Sequence, residues 1–202
     1  GFKKEVIDKT KTHIIYKDSY GVTNKNDIDI TSLPMEIAHP VKDWDSWNEY
    51  KQYYGPDSIE DKLPPDWTSL VKRLKNRDFP IRLGGTNGGF LGFPRAIMGL
   101  TSYMMTLHDD PALIHDICET FLNYLISYYG RIAEDIDIDC VLIWEDMAGK
   151  GGSLISPAHY KEFLTPRYKK MVSFAKEAGI DIILTDSDGY VEDLLPLIIE
   201  TG

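Results

Sequence analysis

Residues 140–146 read CVLIWED, a short apolar run that ends in two acidic residues. Such a run predicts a β-strand that is buried on both faces, as in a parallel sheet covered by helices. Helical sequence follows from Ser156 to about Ala178, and residues 180–184 read IDIIL, which predicts the next strand. One strand and one helix therefore repeat within about 40 residues, and this alternation indicates an α/β fold.

The same rhythm begins upstream, at residues 79–83, which read FPIRL and precede a glycine-rich loop. We predict three βα units over residues 79–202 and a largely irregular or inserted region over residues 1–78, within a single domain of residues 1–202. That region should still hold a strand near residues 12–18, a return strand near residues 22–26 and two short helices. A (β/α)₈ barrel needs eight such units, so the pattern alone leaves a doubly wound open sheet possible.

Carboxylates follow two of the predicted strands directly. Glu145 ends the first, and Asp186 and Asp188 end the second. Because side chains alternate along a strand, Glu145 shares a side with Val141 and Ile143, and Asp186 shares a side with Leu184. If both sides face a barrel interior, we expect the three carboxylates to converge as proton carriers or metal ligands. The alternative for Asp186 and Asp188 is to cap the helix that follows.

The glycine-rich loop, residues 84–89, reads GGTNGG and lacks the spacing of a phosphate-binding loop. We expect it to be a flexible loop that lets a large ligand approach the backbone. The candidate substrate-binding residues are Asn87 within this loop and Arg82 and Arg95, which flank it. Each arginine has two interpretations, a clamp on a substrate carboxylate or a surface ion pair.

Composition excludes several classes of partner. The chain has 202 residues, and 22 Lys and Arg against 32 Asp and Glu give a formal charge of −10. This acidic balance argues against nucleic-acid binding and against an anionic membrane surface. Cys118 and Cys140 form no CxxC pair, and no apolar run is long enough to span a membrane. We therefore expect a reduced, cytoplasmic protein, and the abrupt ends at Gly1 and Gly202 suggest a piece of a longer chain.

Several motifs, taken in order, resemble the uroporphyrinogen decarboxylase superfamily, especially its divergent, cobalamin-dependent methyltransferase-like branch. They are WEDMAGKGGSLISP at residues 144–157, FLTPRY at residues 163–168 and TDSDG at residues 185–189. HPVKDW at residues 39–44 and DDP at residues 109–111 also resemble its divergent members. The resemblance implies a (β/α)₈ TIM barrel, of which this chain would be an incomplete middle portion.

The resemblance also implies the chemistry. Our first hypothesis is a methyltransferase-like enzyme that acts with a methyl donor, a corrinoid or a corrinoid protein. The thiol methyltransferases of this family carry His-x-Cys where this chain has Asp186-Ser187-Asp188, so the usual zinc pair is missing. Glu145, Asp186 and Asp188 are then tentative ligands for zinc or a harder divalent ion.

Two other functions remain open. One is a cofactor-free decarboxylase (a lyase) of a tetrapyrrole or a smaller carboxylate, with Arg82 or Arg95 binding the carboxylate. The other is a non-catalytic tetrapyrrole-binding barrel or an inert fragment. A barrel segment exposes sheet edges and an apolar interior, so we expect the isolated chain to aggregate, to form a homodimer or to be marginally stable.

Overall fold

The structure is a computed structural model, and it describes residues 2–29, 33–85 and 88–202. The strands, in chain order, are β1 (Glu5–Lys9), β2 (His13–Lys17), β3 (Thr23–Asp27), β4 (Met35–Ala38), β5 (Arg82–Gly85), β6 (Cys140–Trp144), β7 (Ala148–Gly149), β8 (Gly152–Ser153) and β9 (Ile182–Asp186). The helices are α1 (Trp44–Tyr50), α2 (Trp67–Leu74), α3 (Gly92–Met98), α4 (Leu100–Asp109), α5 (Pro111–Ala133), α6 (Pro157–His159), α7 (Thr165–Glu177) and α8 (Leu195–Glu200). Among these helices, none combines the length and the hydropathy that a membrane crossing requires.

The described residues group into two compact units. The first contains the residues up to Tyr53 together with Pro94–Ile114, and the second contains Tyr54–Phe93 together with His115–Gly202. The sequence-based division at residue 78, within one domain, stays a prediction.

The first unit is more regular than its sequence suggested. Strands β1 to β4 form a four-stranded antiparallel sheet in chain order, of which we expected only the central hairpin. Asp18 builds the turn between β2 and β3, because its carboxylate accepts hydrogen bonds from the backbone N–H groups of Tyr20 and Val22 at 2.9 and 3.0 Å. The outer strands escaped notice because β1 is charged and interrupted by a bulge, and because β4 has only four residues.

The second unit contains the three parallel strands that the sequence predicted. Strands β5, β6 and β9 pair in that order, and β6 covers the predicted apolar run to the residue. The fold is therefore mixed α/β with a three-stranded parallel sheet, and the described residues do not close a barrel.

Three helix starts have a side-chain cap, whereas Asp66 before α2 makes no capping hydrogen bond with its side chain. Asp43 caps α1 by accepting from the Ser46 N–H at 2.9 Å, and Asp110 accepts from Leu113 N–H at 3.2 Å at the start of α5. Ser156 accepts from His159 N–H at 3.2 Å and starts α6, which continues as a π-helical turn, Tyr160–Leu164. Pro166 lies in the first turn of α7, directly after this π-helical turn.

Candidate functional site

The carboxyl ends of β5, β6 and β9 meet at one edge of the parallel sheet. The register pairs Gly85 with Ile143, Ile143 with Thr185, and Trp144 with Asp186. Ligands of parallel α/β proteins bind at this edge, so it is where a functional site is expected.

The two faces of this sheet differ in exposure. Residues that are paired across a parallel sheet point to the same side. We call one side the open face; its residues are Arg82, Gly84, Cys140, Leu142, Trp144, Ile182, Leu184 and Asp186. Ile182 and Leu184 are 53% and 44% exposed there, whereas Val141 and Ile143 on the opposite, covered face are buried.

Glu145 continues the covered face and is completely buried. One carboxylate oxygen, Oε1, accepts from the Phe90 N–H at 2.7 Å and from the Tyr168 hydroxyl. The other, Oε2, accepts from the N–H groups of Leu91 and Gly92, each at 2.8 Å. The carboxylate therefore ties the end of β6 to the segment that leads into α3, and Tyr168 of α7 joins the same cluster.

In the glycine-rich loop, the structure explains why residue 89 is a glycine. A Cβ at Gly89 would overlap the Glu145 carboxyl group. We expected the loop glycines to admit a ligand, but at Gly89 the group that approaches the backbone is Glu145.

Burial dominates the electrostatics around Glu145. Burial raises the pKa of this carboxyl, and the hydrogen bonds from Tyr168 and from the three backbone N–H groups oppose that rise. Burial, together with the nearby Glu145 charge, also raises the pKa of Tyr160, whose ring stacks on Tyr168 with centroids 5.9 Å apart. Burial raises the pKa of Cys118 to about 12, so this cysteine is not a ready thiolate.

The expected convergence of three carboxylates is wrong. Asp186 pairs with Trp144 and belongs to the open face, whereas Glu145 lies one residue further and belongs to the covered face. Asp186 and Asp188 are both exposed. The alternation within each strand was predicted correctly, but the register between the strands places the two acidic ends on opposite sides of the sheet.

Residues 27–197 match the protein-family model "Uroporphyrinogen decarboxylase (URO-D)". This covers most of the chain. The chain belongs to the uroporphyrinogen decarboxylase family.

Comparison with solved structures supports the fold. A methyltransferase from Methanosarcina mazei superposes with a TM-score of 0.55 at 19% sequence identity, over 85% of this chain and 48% of that one. The chain thus spans about half the length of this structural neighbour. No curated protein sequence matches the chain.

The residues of this family member do not fit a metal ion between Glu145, Asp186 and Asp188. Both Glu145 oxygens already accept two hydrogen bonds each, and the sheet separates Glu145 from Asp186. In the three described segments of the chain, no group of three or more His, Cys, Asp and Glu side chains could hold a metal ion. Glu145, Asp186 and Asp188 as catalytic residues stay predictions.

The three candidate substrate-binding residues are scattered. Arg82 is exposed on the open face, but it begins β5 and so lies at the amino end of the sheet. Through Cys140 it is in register with Ile182 of β9. Ile182 is four residues before Asp186, so Arg82 and Asp186 are about 13 Å apart along the strand direction. Arg95 is half-buried within α3, and Asn87 lies outside the described residues.

Asp146, which follows Glu145 at the strand end, is not among the candidate site residues that the sequence predicted. Its φ is 48°, the only left-handed value outside glycine among the described residues. Its N–H and that of Glu145 both donate to the Asp186 carbonyl, at 3.2 and 3.0 Å. Backbone strain of this kind is common at functional sites. The only sequence signal was an acidic residue at a strand end, and nothing in the sequence indicates the backbone angle.

Proposed function

We propose that this protein is a methyl-transferring enzyme whose substrate lies on the open face, with Asp186 as the group that accepts the proton of the methyl acceptor. One observation carries the proposal: a solvent-exposed carboxylate ends an exposed apolar sheet face at the carboxyl edge of parallel strands. The neighbour with this fold is a methyltransferase, which supports the proposal, whereas the name of the matching family points to the second candidate, decarboxylation.

The open face suits a large, flat and partly apolar partner such as a corrinoid. Leu142 and Trp144 of β6 lie beside Leu184 of β9 and offer a continuous apolar floor. Asp186 stands at its carboxyl end, and exposed Asp188 follows two residues later. A thiol or amine acceptor loses a proton when it is methylated, and the Asp186 carboxylate would take that proton. The mechanism uses no metal step, because the three carboxylates do not fit one.

Decarboxylation is the second candidate, and the geometry supports it less. A decarboxylase of this kind needs a cation that binds the substrate carboxylate near the proton donor. Of the two candidate arginines, Arg82 is about 13 Å from the level of Asp186, at the opposite end of the strands, and Arg95 is half-buried within α3. Methyl transfer needs no such pair.

The test uses the protein expressed from its complete reading frame. Methylcobalamin with a thiol is one substrate pair, and uroporphyrinogen, assayed for carbon dioxide release, is the other. We expect methylation of the thiol and no carbon dioxide. Carbon dioxide release alone would establish decarboxylation instead, and corrinoid binding without turnover would establish a binding protein.

A matched pair of variants tests the role of Asp186. Asp186→Asn should lower the turnover number about 100-fold or more, the usual effect of losing a proton-transferring group. Asp181→Asn changes an exposed aspartate just before the other end of β9 and should leave turnover unchanged. Full activity of Asp186→Asn would overturn the assignment.

A further inference from the structure

The loop that follows β9 is joined to the loop that follows β6. The Ser187 hydroxyl accepts a hydrogen bond from the Met147 N–H at 2.9 Å, and the Tyr190 N–H donates to the Gly149 carbonyl at 3.0 Å. The second contact is made by the backbone alone, whereas the first needs a side chain that can accept. A substitution at Ser187 therefore removes one link between the two loops without altering any group of the other.

Asp186 lies directly before the Ser187 link. Its carbonyl accepts from the N–H groups of Glu145 and Asp146, at 3.0 and 3.2 Å, so two successive N–H groups after β6 converge on it. The described residues offer the Asp186 carboxylate no hydrogen bond and no ion pair. The position of this carboxylate accordingly depends on how its own backbone and that of Ser187 are held.

The Ser187 hydroxyl uses both of its hydrogen-bonding functions. Besides accepting from Met147, it donates to the Asp188 carbonyl at 3.1 Å. These two bonds fix the direction of the hydroxyl, and alanine can make neither of them, whereas threonine can make both. Met147 is completely buried, so its N–H depends on this acceptor rather than on solvent.

The two loops touch at the backbone beside this link. A Cβ on Gly189 would lie 2.6 Å from the Gly149 carbonyl oxygen, and Gly189 has a left-handed φ of 79°. Such a conformation and such a close approach favour glycine at this position. The hydrogen bond from Met147 to Ser187 therefore acts across a tight junction between the loops.

A second serine after β6 differs from Ser187 in its hydrogen bonding. The Ser153 hydroxyl in β8 is buried, and it has no hydrogen-bond partner in the described part of the chain. Its removal is the same chemical change as removal of the Ser187 hydroxyl, but it breaks no hydrogen bond. Ser153 is therefore a matched control at the same edge of the sheet.

We propose that Ser187 is a positioning residue, which holds the Asp186 carboxylate at the carboxyl end of the open face by linking the adjoining backbone to Met147. The inference rests on the proposed function, because it takes Asp186 to be the group that accepts the proton of the methyl acceptor. Proton transfer requires the carboxylate to be within hydrogen-bond distance of that acceptor. A displaced carboxylate therefore slows the chemical step, whereas the apolar floor of the open face is unaffected.

Kinetics of the protein expressed from its complete reading frame test this role, with methylcobalamin and a thiol as substrates. Ser187→Ala should lower kcat about ten-fold and leave KM for methylcobalamin within about two-fold of the wild type, because positioning and not binding is lost. Ser187→Thr keeps the hydroxyl and should restore kcat, and Ser153→Ala should have the wild-type value. Wild-type kcat in Ser187→Ala, or a loss that Ser187→Thr does not reverse, would overturn the proposal.

Amide hydrogen exchange separates a failure of this inference from a failure of the proposed function. The N–H groups of Glu145 and Asp146 report on the Asp186 backbone, because both donate to its carbonyl. Relative to the Phe90 N–H, their exchange should become about ten-fold faster in Ser187→Ala and stay unchanged in Ser153→Ala.

Unchanged exchange of these two amides in Ser187→Ala would overturn the inference, whatever the activity. Faster exchange in a protein whose wild type transfers no methyl group would instead overturn the proposed function, and Ser187 would remain the residue that positions Asp186.

Discussion

The ends of β6 and β9 are neighbours in one sheet, and both lead into carboxylates, yet the two regions differ in almost every physical respect. Glu145 is buried on the covered face with four hydrogen-bond donors, whereas Asp186 is exposed on the open face. Because side chains alternate along a strand, a shift of one residue in register changes the side of the sheet on which a carboxylate lies. The comparison teaches that a strand-end carboxylate can stabilise the fold or serve a ligand, and that its face decides which.

Removing the buried carboxylate should have the largest effect. Glu145→Ala leaves the N–H groups of Phe90, Leu91 and Gly92 without their acceptor and opens a cavity. We expect the free energy of unfolding to fall by at least about 3 kcal/mol, measured by urea denaturation. Asp186→Ala is the matched control and should change it by no more than about 0.5 kcal/mol.

Equal stability losses in these two variants would contradict the difference between the covered and the open face. Glu145→Gln tests the same difference with a smaller change. The amide keeps the size of the side chain, but its NH₂ group would face backbone N–H donors, so the variant should lie between the wild type and Glu145→Ala.

The sequence was informative where local chemistry decides structure. The apolar run of β6 is present as predicted, and Asp43 and Asp110, residues of a type that favours helix starts, cap α1 and α5. These features depend on a few adjacent residues and on the period of the side chains.

What the sequence could not supply is the pairing of distant segments. Whether Trp144 or Glu145 lies opposite Asp186 depends on the register between β6 and β9. No single strand encodes that register. The partners of Glu145 come from about 55 residues upstream and from α7, so its structural role was hidden as well. The left-handed backbone at Asp146 was equally invisible, since aspartate is tolerated in many turns.

A smaller effect is expected from the tyrosine that donates to Glu145. Tyr168→Phe removes one charge-assisted hydrogen bond inside the protein and should lower the free energy of unfolding by about 1.5–3 kcal/mol. Tyr190 offers a matched control, since its hydroxyl donates to Glu192 at 2.7 Å on the surface. Tyr190→Phe should leave the melting temperature unchanged. Equal losses in the two variants would contradict the claim that burial makes the hydrogen bond from Tyr168 to Glu145 important for stability.

The smallest change in stability is expected on the open face. Leu184→Asp replaces an exposed side chain, so the free energy of unfolding should stay within about 0.5 kcal/mol of the wild type. Self-association of the 202-residue chain, followed by sedimentation equilibrium, should nevertheless decrease, because the apolar face is interrupted. A wild-type chain that is monomeric with a sharp melt would contradict our expectation that this face and the sheet edges drive association.

Amide hydrogen exchange tests the central claim, that Glu145 is a structural anchor and that Asp186 lies on an accessible face. We predict that the N–H groups of Phe90, Leu91 and Gly92 exchange only through global unfolding, because each donates to the buried carboxylate. Glu145→Gln should accelerate their exchange, and Asp186→Asn should not. Exchange of these three amides at the rate of an exposed loop in the wild-type protein would contradict the account.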